Sequence, residues 1–297
     1  MGYSITSNFA GDHAGQYVSA ALKSAKTLDY LTVLENVKYK RNVTKVVGAT
    51  LVRDATCDFT DSGTLTLTEQ VLQPENLQIN VDLCKKDLLA DWQALQMSGG
   101  AWNRDMSSDF AGFVMSYLSD TIANATESSC WSGDTSNNGE FNGFITSYLG
   151  SATSSSASAA YTAANIIANL QTLAADIPAN VYEKAYEDLY IFMNPKTYRF
   201  YISAISTLGY VNAYNMNSTY EPVFEGIKIA VVGGMPDNQI VCGQKSNMFF
   251  GTDLLSDTTE IRMLDMSALD GSDNVRVVCK YVAGVQVGIA SDITRQS

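Results

Sequence analysis

Asp54-Ala-Thr-Cys-Asp-Phe-Thr-Asp-Ser-Gly-Thr-Leu-Thr-Leu-Thr-Glu69, continued through Val71-Leu72 to Leu77-Gln-Ile-Asn-Val-Asp-Leu-Cys-Lys-Lys86, reads as extended chain. Alternation at every second position places Leu77, Ile79, Val81 and Leu83 on one face of a strand. In Thr64–Thr68 the alternation sets Leu65 and Leu67 against threonines, a β-favouring run with little apolar depth. Upstream, the β-branched residues of Val43, Thr44, Val46 and Val47 predict another strand. Asp61-Ser62-Gly63 supplies the turn signal between the runs. A hairpin of about 40 residues with so polar a middle has little core of its own, and an isolated hairpin is marginal in water. The inference is that it finds its partner on another molecule.

Working outward, residues 1–30 are small and polar, with a weak helical hint at Tyr17–Leu28. They read as an arm, ordered only when something holds it. His13, the sole histidine, lies there. No basic segment precedes an apolar one, so this is not a secretory signal. Met1-Gly2 with Thr6 loosely matches a myristoylation pattern, with no second lipid or basic signal beside it. On the other side, Lys85-Lys86 between Asp82 and Asp87 forms a charge cluster at a strand-to-helix junction. Solvent exposure accounts for it; an inter-subunit ion pair, weak singly but repeated in an assembly, is the functional alternative.

Next comes an amphipathic helix. Ser108 is its candidate N-cap and Asp109 suits the first turn. Phe110, Phe113, Val114, Tyr117, Leu118, Ile122 and Ala125 line one face. The spacing predicts about 20 residues, near 30 Å, with Gly133 as a left-handed exit. Residues 150–165 are rich in Ser, Ala and Thr and read as a flexible connection. A helix is predicted over 162–176, with Ala163, Ile166, Ile167, Leu170 and Leu173 apolar. A buried strand, Leu189–Met193, ends at Asn194-Pro195 before a helix to about Ile205. The last third is mostly strand: Ile227–Val232, Gln239–Cys242, Met248–Gly251, a hairpin of Thr259–Met266 with Val275–Val282, and Val285–Ile289. With no fixed repeat and no βαβ alternation, the class is α+β.

The chain has 297 residues, 46% hydrophobic and 17% charged, enough to bury a sizeable core. A formal net charge of −12 gives no general attraction for a polyanion, which argues against sequence-specific DNA binding. An acidic wall does suit a compartment holding DNA, because weak repulsion prevents sticking. No apolar stretch is long enough to span a bilayer. Cys57, Cys84, Cys130, Cys242 and Cys279 are odd in number, without CxxC spacing, and read as small buried hydrophobes of a reducing cytoplasm. One histidine leaves little for His-dependent chemistry, and no zinc or phosphate-loop spacing occurs. Gly99-Gly100 and Gly233-Gly234 are read as turns. Asp253, Asp257, Glu260 and Asp265 allow a paired-carboxylate site or, more simply, a solvated acidic face. Asp54, Asp58 and Asp61 lack the further ligands and glycine of a calcium loop. Trp92, Trp102 and Trp131 read as packing anchors. No catalytic, cofactor or metal residue is assigned.

The order of these parts resembles the HK97-type major capsid protein of tailed phages. The likeness rests on the 54–86 stretch, on the helix ending Ser132-Gly-Asp134 before Phe141-Asn-Gly-Phe144, and on Phe192-Met-Asn-Pro195. Phe224-Glu-Gly-Ile-Lys-Ile229, Val241-Cys-Gly-Gln244 and Val275–Lys280 complete it. The resemblance implies an N-terminal arm (1–33), an extended hairpin or E-loop (34–76), a P-domain with a spine helix (77–150), an A-domain (151–256) and returning P-domain strands (257–297). It implies self-assembly into pentamers and hexamers of an icosahedral shell around phage DNA, formed in a bacterial cytoplasm. Portal, scaffolding and decoration or head-fibre proteins are the implied partners; DNA is touched non-specifically, and no membrane is involved. Lys38, Lys40, Lys45, Thr64, Leu65, Leu67, Lys85 and Lys86 are the expected inter-subunit contacts. Phe110, Phe113, Val114, Tyr117, Leu118 and Ile122 are expected to pack the spine helix on the terminal strands. About 30 residues precede the hairpin, which suggests a separate scaffolding protein or loss of a scaffolding region. No lysine matches the family's crosslink pattern.

Three other readings fit the sequence. An encapsulin-like compartment shell shares the fold, and neighbouring genes or enclosed nucleic acid would separate it. A carboxylate hydrolase would lose activity, but not assembly, on changing Asp257 or Glu260. A tail or fibre protein would form tubes or trimers.

Overall fold

The computed structural model describes residues 25–48, 52–55, 57, 63–88, 108–157, 160–184, 188–207, 222–253, 261–267 and 269–297. Its first half contains β1 (Thr32–Leu34), β2 (Arg41–Gly48), β3 (Leu65–Leu72), β4 (Glu75–Cys84), α1 (Lys85–Leu88) and α2 (Ser108–Ser132). The middle contains β5 (Thr153–Ser155), α3 (Ile166–Ala175), α4 (Ala179–Lys184), β6 (Leu189–Met193) and α5 (Pro195–Thr207). The last third is β7 (Val223–Phe224), β8 (Ile227–Val231), β9 (Ile240–Gln244), β10 (Met248–Gly251), β11 (Arg262–Asp265), β12 (Asn274–Val287) and β13 (Thr294–Gln296).

A five-stranded sheet is organised by β12. The strand pairs antiparallel with all ten residues of β4 on one side, and with β11 and then β10 on the other. β1 adds parallel to β10. The separate strand expected at Val285–Ile289 is the far end of β12. Gly284 does not break it; a Cβ there would lie 2.7 Å from Pro74 Cα, so the glycine admits the chain leading into β4. β10, expected in the central domain, belongs to this sheet.

A six-stranded sheet has the order β5-β13-β9-β6-β8-β7. β6 and β8 are parallel, with α5 between them in sequence, so one βαβ unit exists where none was expected. β13 crosses from the returning strands to lie between β5 and β9. β5 itself falls in the stretch read as a loop, where β13 supplies the backbone partners its sequence does not advertise. Local signals explain the helix starts here. Asn194 Oδ1 accepts from the Thr197 amide at 2.7 Å and caps α5, with Pro195 at its first position. Asn165 Oδ1 instead accepts from the Thr162 amide, holding a turn that delays α3 to Ile166. β7 and β8 are joined by Glu225 and Gly226 alone, both left-handed at φ 48° and 86°.

α2 covers 25 described residues, Ser108–Ser132, more than the 20 or so expected; the expected capping side chain of Ser108 lies outside the description. Leu118 and Ile122 are buried, and Phe113 and Val114 pack with Leu83, Val275 and Val277 against β4 and β12. Phe110 carries no described side chain. Tyr117 shares that face but is 41% exposed, and it stacks on Phe113 at 6.3 Å between ring centroids. The deep burial lies further on, at Cys130 and Trp131, outside the predicted stripe. Trp131 meets Phe192 and Phe144 at centroid distances of 5.1 and 5.5 Å. Gly133 is not a left-handed exit, since its φ is not positive. A Cβ there would sit 2.2 Å from the Phe141 carbonyl oxygen, so close approach of the returning chain requires glycine. Residues 26–34, expected in the arm, are part of the core: Thr27 and Leu31 are buried and β1 joins the sheet.

Candidate assembly surfaces

β2 and β3 pair antiparallel with Arg41 opposite Leu72 and Gly48 opposite Leu65, forming a two-stranded sheet of their own. The base is fixed firmly. Leu72 is fully buried against Gly251, Val37 is buried, and Gln286 Nε2 donates to the Val71 carbonyl at 2.7 Å. The Asn36 and Val37 amides donate to the Asp253 and Thr252 carbonyls. Beyond the base, every residue of β3 before Leu72 is exposed.

The register sorts side chains by face. Val46 lies opposite Leu67; Leu65 is two residues before Leu67 on that face and Val71 four residues after it, with Glu69 between them opposite Thr44. Val46, Leu67, Leu65 and Val71 are 56%, 62%, 56% and 41% exposed respectively. The hairpin, anchored at its base, thus carries a strip of exposed apolar side chains interrupted by Glu69. Thr64 is exposed beside it. Lys38 and Lys40 are exposed near the base, Lys40 over the ring of Tyr39 at 5.2 Å, and Lys45 is half-buried. The proposed turn residues Asp61 and Ser62 lie outside the described residues, as do the expected landmarks His13, Trp92, Trp102 and Gly99-Gly100.

Lys85 and Lys86 separate. Lys86 is exposed, but Lys85 is buried and its ammonium contacts Asp265 at 2.5 Å within the same chain. The expected inter-subunit role for Lys85 is thereby corrected: β4 ends beside β11 across β12, which delivers a partner 180 residues away. The Lys85 ammonium, followed by the Ser267 hydroxyl and amide, holds the Asp265 carboxyl down to about 2. Asp265 is thus committed to an ion pair; Asp257, Glu260, Asp58 and Asp61 lie outside the described residues. Among the described residues no three His, Cys, Asp or Glu converge as a metal site, and no helix is long and apolar enough to cross a membrane. Cys130, Cys242 and Cys279 are buried as expected, whereas Cys57 is exposed.

Sequence reading missed a buried group in α2. Glu127 is fully buried and accepts from the Thr27 amide and hydroxyl and from the Gly234 amide. Gly234, read as an ordinary turn residue, touches the helix backbone: its Cβ would lie 1.8 Å from the Glu127 carbonyl oxygen. No local pattern marks either contact, because the partners are 100 and 107 residues apart.

A rigidly based outlying hairpin, a long helix on a sheet built from both halves of the chain, and a second sheet closed by the C-terminal strand define the HK97-like capsid fold. Solved structures share it over nearly their whole length. The capsid of Myoviridae phage XM1 aligns at TM-score 0.63 and 12% identity, over 99% of this chain and 98% of its own. The Mycobacterium phage Che8 structure aligns at 0.61 and 11%, with the same coverage of both chains. The capsid of an empty GTA particle aligns at 0.62 and 14%, over 97% and 94%. No family model and no curated protein matches the sequence.

Proposed function

We propose that this chain is the major capsid protein of a tailed double-stranded DNA phage, a structural subunit that assembles into an icosahedral head. The observation that carries the reading is the hairpin: a firmly anchored base presents Val46, Leu65, Leu67 and Val71, and nothing among the described residues covers them. Burial of that row in a neighbouring copy supplies the missing packing. Lys38, Lys40, Lys45 and Thr64 flank this contact and form its polar rim, and Lys86, exposed past the far end of β4, is available for a separate one. The near-complete alignment with phage and GTA capsid structures supports the same role. Pentamers and hexamers of one chain then form the shell, with portal, scaffolding and decoration proteins as partners and DNA held without specific contacts. The net charge of −12 fits that last point, since an acidic wall does not retain a polyanion.

Electron microscopy and sedimentation of the purified full chain test the proposal. Closed shells with five- and six-fold clusters are expected. A chain that stays monomeric at high concentration, with amides 41–72 protected by its own body, would overturn it.

A further inference from the structure

Glu127 presents a problem that the subunit solves in an informative way. A carboxylate withdrawn from water is costly unless hydrogen bonds or a cation replace the solvent. Among the described residues no Lys or Arg forms an ion pair with it. Instead the Thr27 amide donates to Oε2 at 3.0 Å, the Thr27 hydroxyl donates to Oε1 at 2.8 Å, and the Gly234 amide donates to Oε1 at 3.2 Å. Trp131 Nε1, one turn along α2, donates to the Thr27 oxygen at 2.9 Å and orients its hydroxyl proton toward the carboxylate. The donors therefore come from two segments remote in sequence: the short helical turn Lys26–Tyr30, and the glycine turn after β8 in the six-stranded sheet.

We propose that Glu127 couples the docking of the N-terminal segment to the position of the Gly233-Gly234 turn. If Thr27 withdraws, the carboxylate keeps one donor in a dry site. It then turns toward water, and that movement breaks the Gly234 bond. Because Gly234 rests on the Glu127 backbone with no room for a Cβ, the turn is free to shift only away from the helix. A pull on the chain ahead of Lys26 is thus felt at the end of β8 in the other sheet, through one side chain. Glu127 is a positioning residue in this scheme, and the coupling does not depend on the shell reading.

Hydrogen exchange with mass spectrometry on the full chain tests it, at concentrations where all variants sediment alike. Thr27→Val keeps the shape but removes the hydroxyl, and Thr27→Ser restores it. Thr27→Val is expected to speed exchange about tenfold in peptides covering 26–34 and also in those covering 230–236, since bonds to a charged acceptor are the stronger class. Thr27→Ser returns both to parental rates. Adding Thr27→Val to Glu127→Met, which removes both acceptor oxygens, should change 230–236 no further, because the link is already cut. Loosening of 26–34 alone, no change in either segment, or independent addition in the double variant would overturn the proposal. Should Glu127→Met fail to fold, the Val and Ser pair decides the question by itself.

Discussion

Replacing Leu65 and Leu67 together by serine separates assembly from folding. The two side chains are 56% and 62% exposed in the subunit, so their loss removes little internal packing. Surface substitutions of that kind shift stability by about 0.5 kcal/mol or less. Burying a leucine fully is worth about 1.5–3 kcal/mol, and with over half of each side chain still exposed, about 1–1.5 kcal/mol per residue remains to be gained in a contact. Each subunit contributes one hairpin, so the pair removes about 2–3 kcal/mol per subunit from the assembled state. At about 1.4 kcal/mol per tenfold, the critical concentration for assembly should rise about 30- to 150-fold. Light scattering across a concentration series reads that threshold, and urea denaturation of the unassembled chain reads the subunit. An unchanged threshold would refute the reasoning. So would a subunit destabilised by more than about 2 kcal/mol, which would mean that these leucines pack within their own chain.

Asp265 gives a pH signature. Its folded pKa is depressed to about 2 from 3.8, so its stabilising contribution is present above about pH 4 and is lost as pH falls from 4 toward 2. Allowing for solvent screening at a carboxylate 41% exposed, the contribution is about 1 kcal/mol; urea midpoints of Asp265→Asn and the parent should differ at pH 7 and converge toward pH 2. Gly226→Ala places a Cβ at φ 86° in the two-residue β7–β8 turn and should cost about 1–2 kcal/mol in denaturant unfolding, whereas Gly150→Ala, with open space around it, should be nearly neutral. Native-state alkylation followed by mass spectrometry should label exposed Cys57 and spare Cys130, Cys242 and Cys279; burial, aided at Cys130 by the Glu127 charge, raises the thiol pKa of Cys130, and burial alone raises that of Cys242.

The sequence by itself determined the pieces whose physics is local. Two-residue alternation set the buried face of β4, and the β-branched and Thr-Leu runs marked both arms of the hairpin. The apolar run Leu189–Met193 and its Asn-Pro stop predicted β6 and α5 to within two residues at the helix end. The hairpin's lack of a core of its own was legible too, because a run with few apolar residues cannot bury them on itself. Tertiary structure alone decided which strands meet and what the isolated charges do. β13 joins β5 and β9, Lys85 finds Asp265, and Glu127 finds Thr27 and Gly234, each across more than 50 residues of chain. Gly133 reads in sequence as a left-handed helix exit and Gly234 as a turn, yet each lets two backbones touch. The reason is the range of the signals: periodicity and turn chemistry act over a few neighbouring residues and are written in order along the chain. Pairing, close approach and the company of a buried charge depend on groups brought together only when the two sheets and the long helix close on one another.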